Sequence, residues 1–374
     1  MGCSTGILTG SLPGVHPNTV FALLMVYSSS SEKMMFFSIG LGITHSLINH
    51  GPSIFIGIPD ESSPLISLPG KKLVSQGEGP KAFFKTYYGS ISGVLITCIS
   101  FPLLNIFYRN FLELISGLQG FLIFFILLYI VLSSKNVLHA LITVLLGSFV
   151  GFLVFNINSI GGSEGFLPLF TGLFGTPVLV KKFGNSFPDQ TMFRGSPDRK
   201  NIKGGFKGFL AGIFSSVLPG VGPSSTATVL NTEDRIEFLS ALGSVNTTNI
   251  MTSILIFNIA LTSRTGLADY LLSNYRPSSL YLMDIVAIGF ISSGITFLLS
   301  RKIVLFFISL LENINEKSIK LIIICFLLFL IFINTGHTGV GIYFISTGIG
   351  IITSRLDSKK SLLMSCIIIP VLFL

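Results

Sequence analysis

Apolar residues run through this chain in long blocks, and short clusters of Pro, Gly, Lys, Asp and Ser separate them. The runs at 121–132 and 321–333 are nearly free of polar positions, the run at 282–299 is mostly apolar, and similar runs recur from one end of the sequence to the other. A helix needs about 20 apolar residues to cross a hydrocarbon layer of about 30 Å. The pattern predicts spans near 34–58, 87–108, 111–132, 137–155, 238–261, 283–300, 319–333 and 339–353, with a last apolar run at 362–374. Pieces at 166–180 and 303–311 are shorter or partial. The expectation is an all-α polytopic membrane protein with about ten to twelve membrane segments.

One short pattern inside these blocks occurs twice. Leu12-Pro13-Gly14-Val15-His16-Pro17 returns as Leu218-Pro219-Gly220-Val221-Gly222-Pro223. Upstream, Gly2 and Gly6 match Gly208 and Gly212 at the same offset; downstream, Asn18-Thr19 is answered by Ser224-Ser225. A match held in register over this length indicates an internal duplication with a Pro-Gly-broken helix in each half. In the next span of each half, Gly42 aligns with Gly243, Asn49 with Asn249 and Ser53 with Ser253, allowing small shifts. Residues 171–175 also resemble 347–351.

The stretch before the first break holds about 16 Å of helix, too short to cross alone. Apolar residues continue beyond each break, at 20–27 and from Thr226 to 230, so each copy is expected to build one crossing from two half-helices. The division is 1–181 for a first transmembrane repeat, 182–207 for a basic loop and 208–374 for a second repeat. With the loop cytoplasmic and an odd number of crossings per half, the repeats are inverted.

Composition agrees with a membrane reading. Half of the 374 residues are hydrophobic and 11% are charged, against about 25% charged in soluble domains. The net charge of +8 comes largely from Lys181, Lys182, Arg194, Arg199, Lys200, Lys203 and Lys207. In a soluble protein such a cluster would suggest nucleic acid; here it marks a cytoplasmic loop, with the lipid bilayer as partner. Cys3, Cys98, Cys325 and Cys366 are scattered, and His45 and His50 lie five apart, so neither disulfides nor a metal site are expected. Gly6 stands where a myristoylation start wants Ser or Thr, and no basic n-region marks a signal peptide.

Candidate chemistry follows from the breaks. Pro removes a donor and Gly tolerates unusual dihedrals, so each break frees carbonyls on one side and N–H groups on the other. In hydrocarbon these must face protein, water or a ligand. The N–H side at Gly14, His16, Asn18 and Thr19, and at Gly220, Gly222, Ser224 and Ser225, suits an organic anion. The carbonyl side at Leu12, Pro13, Leu218 and Pro219, together with Thr226, suits a coupling Na⁺. His16 replaces Gly222 of the other copy and is either a local elaboration or a proton-sensitive contact. Polar residues in the following spans, Asn49, Asn246, Thr247 and Asn249, either line the site or glue helices together. Arg264 is a substrate-carboxylate partner or an interfacial Arg. Asp60 and Glu61 are an ion-binding pair or a solvated loop end. No nucleophile or acid–base constellation lies within a span, so no enzyme activity and no cofactor beyond Na⁺ or H⁺ is expected.

These motifs resemble those of the tripartite tricarboxylate transporter permease family, particularly its archaeal branch. The resemblance rests on Gly6 to Asn18, Ile58 to Ala82, Gly208 to Ser225 and Ser263 to Gly266. It implies the large membrane subunit of a carboxylate uptake system driven by a cation gradient. It also implies a small membrane subunit and an extracytoplasmic binding protein as partners, as in the longer bacterial permeases. A channel, a structural subunit of a membrane complex or an intramembrane enzyme are the other readings of the residues.

Overall fold

The computed structural model describes residues 1–12, 32–57, 64–156, 165–180, 188–217, 223, 226, 234–260, 265–275, 282–313 and 316–373. Every regular element among them is helical. The first part of the chain contributes α1 (Gly2–Ser11), α2 (Glu32–Ile48), α3 (His50–Phe55), α4 (Ser67–Val74), α5 (Gly79–Leu132) and α6 (Val137–Asn156). Short α7 (Phe166–Phe170) and α8 (Thr176–Val180) flank a π-helical turn at Thr171–Gly175. The second part contributes α9 (Arg199–Val217), α10 (Arg235–Ala260), α11 (Gly266–Asn274), α12 (Leu282–Asn313), α13 (Glu316–Arg355) and α14 (Ser365–Phe373). Segments Gly79–Leu112, Val137–Asn156, Leu282–Leu311 and Lys320–Arg355 are each long and apolar enough to cross a membrane, and shorter apolar helices accompany them. The chain is an all-α, multi-pass membrane protein.

Several predicted boundaries differ from the structure. The spans expected at 87–108 and 111–132 form one uninterrupted helix of 54 residues. The polar residues between them satisfy themselves along the helix: Arg109 Nε donates to Asn105 Oδ1, and Asn110 Nδ2 to the Ile106 carbonyl. The segment at 303–311 is the end of α12 rather than a separate piece. The two spans at 319–333 and 339–353 join in α13 across a single non-helical residue, Gly336, at φ 60° and ψ −154°. The basic loop ends early, because α9 begins at Arg199.

Membrane helices gain little by hiding apolar surface from lipid that is itself apolar, so close backbone packing through small residues takes over. Gly2, Gly6 and Gly10 lay α1 against α2: a Cβ on Gly6 would come within 2.7 Å of both the Leu41 carbonyl and Thr44 Cβ. Gly204, Gly208 and Gly212 lay α9 against α10, where a Cβ on Gly212 would meet Thr248 Cβ at 2.6 Å and the Val245 carbonyl at 3.0 Å. The two helix pairs therefore share one packing scheme. Gly89 of α5 sits directly on the Ser240 backbone, and Ser244 Oγ donates to the Gly205 carbonyl at 2.6 Å. Helices α5, α9 and α10 form one tight unit.

Two apolar cores result. The larger draws Ile39, Phe55, Phe83, Val245, Phe257 and Phe307 from α2, α3, α5, α10 and α12. The smaller joins the end of α5 (Ile130, Val131) to α6, the π turn, the second half of α13 and α14. In it, the similar segments 171–175 and 347–351 pack on each other: Gly172 faces the Tyr343 carbonyl and Thr347 amide, and Gly350 faces the Leu173 carbonyl and Pro177. Both cores draw on both parts of the chain.

Candidate functional site

The glycine contacts fix helix directions. Gly2, Gly6 and Gly10 meet Phe37, Leu41 and His45 in that order, so α1 and α2 run parallel. Gly204, Gly208 and Gly212 meet Glu237, Ala241 and Val245, so α9 and α10 also run parallel. The expectation of one crossing from two half-helices turns on residues 13–31 and 218–233, which apart from Pro223 and Thr226 lie outside the described residues. Gly10, near the end of α1, meets His45, Ile48 and Asn49, whereas Glu32 lies at the opposite end of α2.

Between the pairs the direction reverses. Gly42 faces Ile250, while Asn49 and the Ser46 carbonyl both face Asn246. Helices α2 and α10 are antiparallel. Helix α5 runs parallel to α10 (Thr86 by Gly243, Ser90 by Thr247), and α12 runs in the direction of α2 and α3 (Gly40 of α2 by Ile288, Gly51 of α3 by Phe307). Shared packing also revises the alignment of the second spans. With Thr44 at the place of Thr248, the offset is 204, so His45 corresponds to Asn249 and Asn49 to Ser253.

Where the two pairs meet, Asn246 Nδ2 donates to Asn49 Oδ1 at 3.2 Å, with the Ser46 carbonyl at 3.4 Å. Both asparagines are buried. Asn49 sits at a kink between α2 and α3, because Pro52 lacks the N–H that would bond the Ile48 carbonyl. One turn earlier, His45 Nδ1 meets Thr9 Oγ1 of α1 at 3.1 Å. The Thr9 hydroxyl also lies 3.2 Å from the Gly6 carbonyl. At the end of α9, Tyr108 Oη and Ser216 Oγ lie 3.1 Å apart and buried. Helices α1 and α9 thus end among buried polar groups from their neighbours.

The remaining predicted residues divide. Thr247 is buried and its hydroxyl donates to the Ser90 carbonyl at 2.9 Å, a helix-to-helix bond. Asn249 is half-buried, and its backbone carbonyl accepts from Ser253 Oγ. Thr226 is buried, with its hydroxyl on the Pro223 carbonyl. Leu12 closes α1 in extended backbone, its N–H on the Leu8 carbonyl. Pro13, Gly14, His16, Asn18, Thr19, Asp60, Glu61, Leu218, Pro219, Gly220, Gly222, Ser224, Ser225 and Arg264 lie outside the described residues. Sequence reasoning missed Thr9, His45 and Tyr108; the histidine was weighed only as a metal ligand. Among the described residues no group of three His, Cys, Asp or Glu is placed to hold a metal ion.

The basic cluster is partly neutralised within the fold. Lys85 of α5 is buried, and its ammonium reaches Asp198 Oδ2 at 2.8 Å, Asn201 Oδ1 at 2.9 Å and the Ser196 carbonyl at 3.4 Å. Lys200 pairs with Asp234, and Lys207 and Lys203 with Glu237, at the start of α10. Partial burial pushes the Asp198 carboxyl up, but the Lys85 hydrogen bond and charge outweigh it and hold the group below the ordinary Asp range. The Lys200 hydrogen bond likewise lowers Asp234.

Comparison with known proteins gives the family. The chain is 28% identical to an uncharacterized protein of Methanocaldococcus jannaschii over 392 aligned positions, covering 99% of this chain and 96% of that one. No solved structure matches it. Residues 1–365 match the tripartite tricarboxylate transporter TctA family, so nearly the whole sequence, including both Leu-Pro-Gly segments and the helix pairs that precede and follow them, belongs to that family of transporter permeases.

Proposed function

We propose that the protein is a secondary active permease for a small organic anion, such as a tri- or dicarboxylate, driven by a Na⁺ or H⁺ gradient. The observation that carries this reading is the repeated helix pair. Two short helices, each ending at a Pro-Gly break, pack in the same way on longer partners that run in opposite directions and touch at Asn49 and Asn246. Opposed pairs of this kind support an inverted repeat and transport by alternating access. The N–H sides of the breaks, from Gly14 to Thr19 and from Gly220 to Ser225, would take the anion, with Asn49, Asn246, Thr247, Asn249 and Arg264 beside them. The carbonyl sides, at Leu12, Pro13, Leu218 and Pro219, with Thr226 and with Asp60 and Glu61, would take the coupling ion. The family name implies a small membrane subunit and an extracytoplasmic binding protein as partners.

Purified protein in liposomes, given labelled citrate and related carboxylates under imposed Na⁺ and H⁺ gradients, tests the reading. Saturable uptake that follows one gradient is the expected result. Uptake that rises linearly with substrate and ignores both gradients points to a channel and overturns it. Gly14→Leu and Gly220→Leu are each expected to abolish uptake while insertion persists; full transport by both removes the breaks from the site.

A further inference from the structure

His50 opens α3 at the kink beside Asn49, and it is fully enclosed at 1% exposure. Neither ring nitrogen makes a hydrogen bond, although the Phe83 carbonyl lies near the ring. The Ser53 hydroxyl, one turn along the same helix, is buried and unpaired as well. Aromatic rings surround the imidazole: the Phe83 centroid is 4.7 Å away and the Tyr87 centroid 6.4 Å. At the matching level of the second helix pair, offset by 204, stands Ile254, fully buried. Packing there is met by an apolar side chain, so the fold does not require a polar group at this place. A buried imidazole without partners is costly.

We propose that His50 is a proton-binding site of the transport cycle, a role that rests on the permease reading above and makes H⁺ the coupling ion. The proton comes from water on one side of the membrane when the enclosing helices part. Taking the charged ring out of water is costly, so re-enclosure drives the proton off the imidazole, and it leaves to water on the other side. The face of Phe83 lies within reach of a cation–π interaction with the imidazolium, and the Phe83 carbonyl adds partial negative charge. The other titratable groups on the packed elements are directed elsewhere. Lys71 of α4 donates to the Phe55 carbonyl, His45 of α2 engages Thr9, and the Tyr87 hydroxyl of α5 engages Thr296 of α12. Cys3 of α1 lies by Ser292, and Arg301 and Lys302 of α12 are exposed. Among the described residues, His50 is thus the titratable side chain of this cluster whose ring nitrogens lack a side-chain partner.

The test uses the full chain in liposomes with labelled citrate as probe, under an inward proton gradient and equal Na⁺ on both sides. Wild type is expected to accumulate citrate with a rate that depends on pH between about 5 and 8, the range in which an imidazole titrates. His50→Gln and His50→Phe are expected to lose at least tenfold in gradient-driven accumulation and to flatten the pH profile. A wild-type pH profile in His50→Gln overturns the assignment and leaves the permease standing, as does wild-type uptake driven by Na⁺ and indifferent to pH. Absence of carboxylate uptake by wild type under every gradient removes the permease reading and the proton role with it. Should both His50 variants fail to elute as folded protein, Phe83→Leu decides. Loss of the ring facing the imidazolium should move the midpoint of the pH profile towards acid, and an unmoved midpoint overturns the proposal.

Discussion

Asn246 of α10 donates a hydrogen bond to Asn49 of α2 at 3.2 Å, in a buried position where the two similar helix pairs meet. The bond joins the polar kink of one pair to the uninterrupted helix of the other. Interhelical polar contacts in membranes average about 0.6 kcal/mol and reach about 1.7. A double-mutant cycle of Asn49→Ala and Asn246→Ala is expected to give a coupling of about 0.5–1.5 kcal/mol in thermal or denaturant unfolding in detergent. Additive effects of the two changes would mean that the pair is not coupled.

The shared glycine packing predicts matched sensitivities. Gly6→Leu and Gly212→Leu each place a side chain into the backbone of the neighbouring helix, with contacts already below 3 Å at the Cβ. Each should destabilise by about 3 kcal/mol or more, since such overpacking has no flexible side chain to displace. Gly294→Ala, where a Cβ meets open space, serves as the control and should leave the melting temperature close to wild type.

Gly336 offers a cleaner backbone test. Its dihedrals lie in a region that glycine alone occupies readily, yet nothing stands within 4 Å of an added Cβ. Gly336→Ala should therefore cost about 1–3 kcal/mol through backbone strain alone. A melting temperature equal to wild type would show that α13 straightens at no cost.

Acid should loosen the segment that precedes α9. The Asp198 carboxyl is held below its ordinary range, so its pairing with Lys85 stabilises the fold above the unfolded-state value of about 3.9. That contribution is lost as pH falls through the lower folded-state value. Hydrogen exchange across 188–201 should be slow at pH 7 and rise at strongly acid pH. Asp198→Asn should show raised exchange at pH 7 as well, and identical exchange in the variant would remove the carboxylate from the anchor.

Helix Asp234 makes a similar local prediction. Its Oδ1 accepts from the Ile236 and Glu237 amides, capping α10. Asp234→Ala should cost about 1 kcal/mol, read as a lower melting temperature with the insertion yield unchanged.

Much of this architecture was legible as composition. Apolar run length identifies membrane helices because hydrocarbon leaves the backbone few other solutions, and the duplicated Leu-Pro-Gly segments stand out in any register. Helix direction was not legible. An apolar stretch carries no direction of its own, and it is the order of contacts from Gly2 to Gly10 that shows α1 parallel to α2. The continuity of α5 was hidden because Arg109 and Asn110 look like a boundary, whereas their side chains fold back onto their own helix. Asn246 was recognisable as a polar residue in mid-span, but its partner was set by the antiparallel crossing of α2 and α10. The displaced alignment of Asn49 has the same cause: sequence matched asparagine to asparagine, while packing matched threonine to threonine.

The glycine stripe on α1 also bears on how the chain is made. At ten residues, about 15 Å long, α1 is too short to span the bilayer by itself and carries Ser, Thr and Gly on its surface. Its backbone rests on α2, which is synthesised later, so α1 cannot reach its final seat until α2 has entered the bilayer. Helix α9 stands in the same relation to α10, except that α5, already in place, supplies the other wall of its groove. The second pair is therefore received by a surface that an earlier part of the chain has prepared.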